Sequence, residues 1–151
     1  MKIEINNQTN YKINLKLIEK VIKVFFRVYP VKFPSKRGAK QFNGVNKIAN
    51  KEISLAFVDD AEIKKINLTY RGINKATDIL SFNGDGDSFG EIIIDYNQIK
   101  RQAGDFKNSA EKELVFILVH GLLHLIGYND ETDSEKKKMI KLGEEFIENN
   151  F

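Results

Sequence analysis

The chain's two histidines, His120 and His124, stand four residues apart inside the apolar run of residues 110–130, AEKELVFILVHGLLHLIGYND. From residue 114 to 126 every position except the histidines and Gly121 is apolar. A helix that is apolar on every side belongs at the centre of a core, and this one falls short of the ~20 residues that cross a bilayer. Asn108 or Ser109 is placed to cap its first turn, with Glu111 and Glu113 near the positive end of the dipole. Gly127 is placed to stop it in a left-handed turn.

Helical spacing puts both imidazoles on one face, one turn apart. Such a pair holds a metal ion from one side in the motif H-E-x-x-H, but here Gly121 occupies the position of that motif's glutamate base. The chain leaves the helix at residues 128–130, where Asp130 can fold back as a third donor. A carboxylate oxygen is an ordinary partner for two imidazoles on zinc or manganese. The competing reading is a pair of hydrogen-bonded core histidines. Buried imidazoles need partners, and this helix offers almost none.

The 151 residues fit one domain with a sizeable core. Cysteine is absent, which excludes disulfides and thiolate metal sites and fits a reducing compartment. The opening MKIEINNQTN has no apolar signal-peptide core, so a cytoplasmic location is expected. The net charge is +3, but residues 31–51 hold six of the 24 bases (Lys32, Lys36, Arg37, Lys40, Lys47 and Lys51) and no acid, leaving −3 on the remainder. A basic segment on a nearly neutral body suits a polyanion such as RNA. A solvated loop accounts for the same charges. Phe33 and Phe42 within it can stack on bases or anchor the segment to the core.

Residues 1–5 alternate and predict a strand. Leu15, Ile18, Val21, Ile22, Phe25 and Phe26 predict a helix over 15–28, closed by Pro30 and Pro34. Gly38 and Gly44 make the basic segment loop-like. Residues 52–58 alternate again, as a half-buried strand. Asp59 and Glu62 resemble a capping box, opening a helix with Ile63, Ile66 and Leu68 inward and an end near 69–72. An extended piece at 77–82, a turn at 83–88 and a strand at 90–96 follow, with Ile92–Ile94 buried on both faces. A short helix over 97–106 turns Ile99 and Ala103 inward. Thr132 and Glu135 form a capping box for the last helix, 133–149, which buries Met139, Ile140, Leu142 and Phe146 or Ile147. Four strands interspersed with five helices give a single α+β domain around one small sheet.

Three stretches, AEIKKINLTYRGINKATDILSF at 61–82, FGEIIID at 89–95 and ELVFILVHGLLHLIGYND at 113–130, together resemble the YbeY family of bacterial endoribonucleases and rRNA maturation factors. The resemblance runs from about residue 52 to the C-terminus. It implies a small mixed sheet packed by helices, and a divalent ion, usually taken as Zn2+, on the motif H-x-x-x-H-x-x-x-x-x-H. His120 and His124 match its first two positions, and Asp130 falls on the third. That departure leaves Mn2+ or Mg2+ open beside zinc, with Glu131 or Asp133 as alternatives for the position. Arg71 matches the family's functional arginine. Asp78, Ser81 and Phe82 match a TD-x-LSF piece, where a structural role is expected: Asp78 as a turn residue or a partner behind the site, Phe82 as core.

The resemblance thus implies a metal-dependent, single-strand-specific endoribonuclease acting in 16S rRNA processing and ribosome quality control. rRNA and the small ribosomal subunit are the implied partners; neither DNA nor membrane is expected. Arg71 would clamp the phosphate, with Lys36, Arg37 and Lys40 along the strand. His120 would hold the metal or act as general base. The alternatives are a hydrolase of another class, such as a peptidase, and a non-catalytic RNA- or ribosome-binding module.

Overall fold

The computed structural model describes residues 1–29, 31 and 50–151. Pro30, Lys32, Phe33, Pro34, Lys36, Arg37, Gly38, Lys40, Phe42, Gly44 and Lys47 lie outside the described residues. The strands are β1 (Lys2–Asn7), β2 (Glu52–Val58), β3 (Ile79–Asn83) and β4 (Ser88–Asp95). The helices are α1 (Leu15–Val28), α2 (Asp60–Arg71), α3 (Tyr96–Asp105), α4 (Ala110–Leu125) and α5 (Asp133–Asn150). The strands form one mixed sheet in the order β1-β2-β4-β3. β1 and β4 run parallel to β2, and β3 lies antiparallel against β4 at the edge.

The alternation in β4 explains both layers. Ile92 and Ile94 face the main core with Ile53, Leu55 and Phe57 of β2. Ile93 faces the other way, into a smaller cluster with Val58, Ile63 and Leu80 beneath α2. α4 runs through the main core and touches α1, α3, α5, β3 and β4. Its Leu118, Val119, Leu122 and Leu123 are wholly buried, as a helix apolar on every side requires.

Short polar side chains set the helix starts. Asn14, Asp59, Ser109 and Thr132 each accept a backbone N–H from the first turn of α1, α2, α4 and α5. Of the two candidates for α4, Ser109 is the cap, while Asn108 donates to the buried Glu113 at 3.2 Å. α4 ends as its glycine predicts. Gly127 has φ +97, its N–H reaches the His124 carbonyl at 2.9 Å, and the Tyr128 N–H reaches the Leu123 carbonyl at 3.1 Å. This pair of bonds is the Schellman closure.

Two expected core positions turn outward. Leu68 is 48% exposed, and the inward position on α2 belongs to Asn67, whose amide donates to the Lys75 carbonyl at 2.8 Å. α2 covers only the smaller cluster, so its buried stripe is narrow, Ile63 and Asn67 one turn apart. Ile140 is 39% exposed because the α5 stripe runs through Met139, Gly143 and Phe146.

Where β4 passes into α3, Asp95 is completely buried. Its Oδ1 accepts the N–H groups of Asn97 and Gln98 at 3.0 and 3.1 Å, and among the described residues its Oδ2 receives no hydrogen bond. Asp60 lies beside it, bonded by the Arg101 guanidinium and by Asn97 at 2.8 Å. Arg101 foremost holds Asp60 well below the usual carboxylate range, whereas burial, with Asp60 adding to it, pushes Asp95 up to about 6. Native Asp95 therefore binds its proton more tightly than the unfolded chain, whose aspartates titrate near ~3.9. Its contribution to stability falls as pH rises from about 4 to about 6, and the loss persists above that. Asp95→Asn keeps the Oδ1 acceptor and cannot ionise. Urea unfolding at pH 4.5 and 7 is expected to show this decline in the wild type and to show it flattened in the variant.

Candidate metal centre and cleft

The last two turns of α4 carry His120 and His124 into a cleft of about 410 Å³, which Arg71, Asp78, Ser81, Asp130 and Lys136 also line. The carbonyl-rich end of a helix favours positive charge. The two Nε2 atoms lie 3.1 Å apart, with the ring planes at 85°. The Schellman turn sends the chain back past the helix end, and Asp130 Oδ2 arrives 3.4 Å from His120 Nε2 and 3.7 Å from His124 Nε2. His120, His124 and Asp130 make a three-donor group able to hold a metal ion.

The triangle can be tested for size. Sides of 3.1, 3.4 and 3.7 Å give a circumradius of about 2.0 Å, the length of a Zn–N or Zn–O bond. The tautomers agree with it. His124 Nδ1 lies 3.0 Å from the Tyr128 carbonyl oxygen, which can only accept, so Nδ1 bears the proton and Nε2 the lone pair. Burial, then the neighbouring His124, lowers the His120 pKa against the opposing pull of Asp130. The direction of that shift favours the neutral ring, the form that a metal ligand needs. Donor type, separation and protonation all fit a divalent ion.

Arg71 sits at the end of α2, and its Nη2 donates to the Ser81 carbonyl at 3.5 Å; among the described residues the rest of the exposed guanidinium fork has no partner. Asp78, just ahead of β3, is held from two sides: Gln102 Nε2 donates to its Oδ2 at 3.1 Å and Thr77 Oγ1 to its Oδ1 at 3.2 Å. The Ser81 hydroxyl is buried and has no hydrogen-bond partner among the described residues. Phe82 joins the smaller cluster as a partly buried packing residue.

β3 reaches the site because Gly121 lets it. A Cβ at Gly121 would lie 2.5 Å from Ile79 Cδ1 and 3.0 Å from Ser81 Oγ. The strand fills the space that a glutamate side chain occupies in H-E-x-x-H. The cleft's carboxylate outside the donor triangle comes instead from Asp78, in the loop ahead of β3.

Of the residues expected at a site, the structure brings together Arg71, His120, His124 and Asp130. Lys36, Arg37 and Lys40 lie outside the described residues. Sequence reasoning did not single out Lys136, which sits in the run Lys136–Lys137–Lys138 with nothing in its spacing to mark it. It placed Asp78 only as a turn or supporting residue. The match of TD-x-LSF to the family was the available signal, and that match does not say which side chain faces the cleft.

The family model of endoribonuclease YbeY matches residues 4–150. The chain belongs to the YbeY family. Its YbeY relatives include the endoribonuclease YbeY of Acholeplasma laidlawii, 44% identical over 100 residues, 64% of this chain and 73% of the relative. The endoribonuclease YbeY of a Thermoanaerobacter species (strain X514) is 34% identical over 168 residues, covering 97% of this chain and 96% of the relative. Among solved structures, the solution structure of a Thermotoga maritima protein matches with a TM-score of 0.59 at 27% identity, over 97% of this chain and 87% of that one. The YbeY match thus takes in β1 and α1, ahead of the motif-bearing stretches that begin near residue 61.

Proposed function

We propose that the chain is a metal-dependent, single-strand-specific endoribonuclease of rRNA maturation, with a divalent ion held by His120, His124 and Asp130. The observation that carries this is the three-donor triangle facing Arg71 across one cleft, in a chain of the YbeY family. Two imidazole nitrogens among three donors favour zinc, and the carboxylate leaves manganese second. Action on 16S rRNA of the small subunit, in the cytoplasm, rests on the family. No described helix is long and apolar enough to cross a membrane.

An ion held by His120, His124 and Asp130 would supply Lewis acidity toward a phosphate oxygen and would bring the pKa of water toward ~7. The chain's own groups do the rest. Arg71 presents its guanidinium fork to the nonbridging oxygens as charge grows on the phosphate. Asp78, fixed by Gln102 and Thr77, offers a carboxylate oxygen that accepts a proton from the attacking hydroxyl. A peptidase reading finds no support: its glutamate is absent, and Ile79 and Ser81 occupy the space.

The test is cleavage of a labelled single-stranded RNA by the purified protein, by protein stripped with chelator, and by stripped protein given zinc or manganese. A DNA of the same sequence and a peptide mixture serve as parallel substrates. Cleavage of RNA alone, lost with the metal and restored with it, is expected. No cleavage of RNA under any metal would overturn the proposal.

A further inference from the structure

Family motif and chain differ at the third ligand, where Asp130 brings a negative charge in place of a neutral ring. Any phosphate arriving at the site then meets one positive charge fewer. The remaining charges sharpen this. Around the two imidazoles the cleft holds the carboxylates of Asp78 and Asp130 against the guanidinium of Arg71. Without another cation the protein's own contribution would be net negative, toward a substrate with one negative charge per linkage.

Lys136 is that other cation. It lies in the first turn of α5, where its N–H donates to the Thr132 carbonyl at 2.9 Å. The Thr132–Glu135 capping box fixes that turn, and Lys136 stands in it six residues after Asp130. Lys136 lines the cleft. Its neighbours along α5 are engaged otherwise: Lys138 lies 5.4 Å from the centre of the Tyr128 ring, and Lys141 pairs with Glu145 at 3.7 Å. Among the described residues the Lys136 ammonium has neither an ion pair nor a hydrogen bond, so its charge is not spent within the protein.

We propose that Lys136 is a phosphate-binding residue of the cleft, which restores at α5 the positive charge that Asp130 removes at the metal centre. The proposal rests on the endoribonuclease reading above and assigns the substrate backbone a second contact besides Arg71. A lysine suits the role, since a mobile point charge follows a phosphate without demanding one geometry. The adjacent Lys137 does not line the cleft and serves as the control.

The experiment is fluorescence anisotropy with a labelled, fully 2′-O-methylated single-stranded RNA, which binds without being cut. Zinc-loaded full-length protein is titrated between 50 and 200 mM KCl, with metal content measured on each sample. One lost phosphate contact on a single strand reduces the slope of log K against log salt by about 0.7. Lys136→Gln is expected to show that reduction and about fivefold weaker binding at 50 mM salt, with metal content unchanged. Its KM for cleavable RNA rises while kcat holds. Lys137→Gln is expected to match the wild type. In an Asp130→His background the Lys136→Gln penalty is expected to shrink.

A wild-type slope and affinity in Lys136→Gln would overturn the proposal, as would an equal loss in Lys137→Gln, which reports general surface charge. An undiminished penalty in the Asp130→His background would overturn the compensation. If the wild type cuts RNA while Lys136→Gln binds normally, this inference fails and the endoribonuclease reading stands. If the wild type neither binds nor cuts RNA, both fail.

Discussion

Purified His120→Ala protein is expected to lose its bound divalent ion and on the order of 10³-fold or more of its RNA cleavage. The ring removed is the least exposed vertex of the donor triangle, and its Nε2 is the atom nearest to both other donors. What remains, His124 Nε2 and Asp130 Oδ2 at 3.7 Å, is the longest edge of the three and offers only two donors. Elemental analysis beside a cleavage assay measures both effects. The Asp130 pair refines the result. Asp130→Ala is expected to bind metal weakly through the two imidazoles, and Asp130→His to bind zinc at least as well as the wild type. Full metal occupancy in Asp130→Ala would move the third ligand to Glu131 or Asp133.

Gly121→Glu, which writes the peptidase motif into α4, is expected to destroy the site rather than convert it. Even the smallest step, Gly121→Ala, sets two effects against each other. Replacing glycine inside a helix gains about 1 kcal/mol. Pressing a Cβ to 2.5 Å from Ile79 Cδ1 and 3.0 Å from Ser81 Oγ forces a repacking that costs about 1–3 kcal/mol. The sheet pairing of Ile79 with Ile94 fixes its backbone, so relief has to come from rotation of the Ile79 side chain and the Ser81 hydroxyl. Glutamate adds a carboxylate that must desolvate or push β3 away, and the expected loss exceeds about 3 kcal/mol. Urea unfolding gives the first quantity. A peptide digest gives the second, with no hydrolysis expected. Stability equal to wild type in Gly121→Glu would show that β3 does not constrain this position.

The parts of this structure that were readable beforehand are those in which one residue decides one local event. Ser109, Thr132 and Glu135 start their helices, Gly127 stops α4, and four-residue spacing puts two rings on one face. Ile92–Ile94 announced a strand buried on both sides, and the sheet confirms it. What resisted reading depends on how much of an element its neighbour covers. Leu68 continues an apolar pattern, but α2 lies over a cluster too small to reach it. Ile140 follows Met139 in a helix whose buried stripe passes one position aside, and it lines the cleft instead.

The site divides the same way. His120, His124 and Asp130 come from one continuous stretch, and their convergence follows from a helix, its stop and a return turn. Arg71 needed the resemblance, since an arginine ending a helix carries no mark of its own. Asp78 and Lys136 needed coordinates, because they reach the cleft from the loop ahead of β3 and from α5, across distances that no spacing rule encodes.

The hydrogen bond from His124 to the Tyr128 carbonyl ties two events together that are usually separate. The residues that close α4 are the ones that aim its ligand, so the last helical turn cannot fray while the imidazole stays in place. Unwinding of that turn would swing the His124 ring away from the other two donors, so the stability of the helix end would add to how firmly the triangle holds a divalent ion.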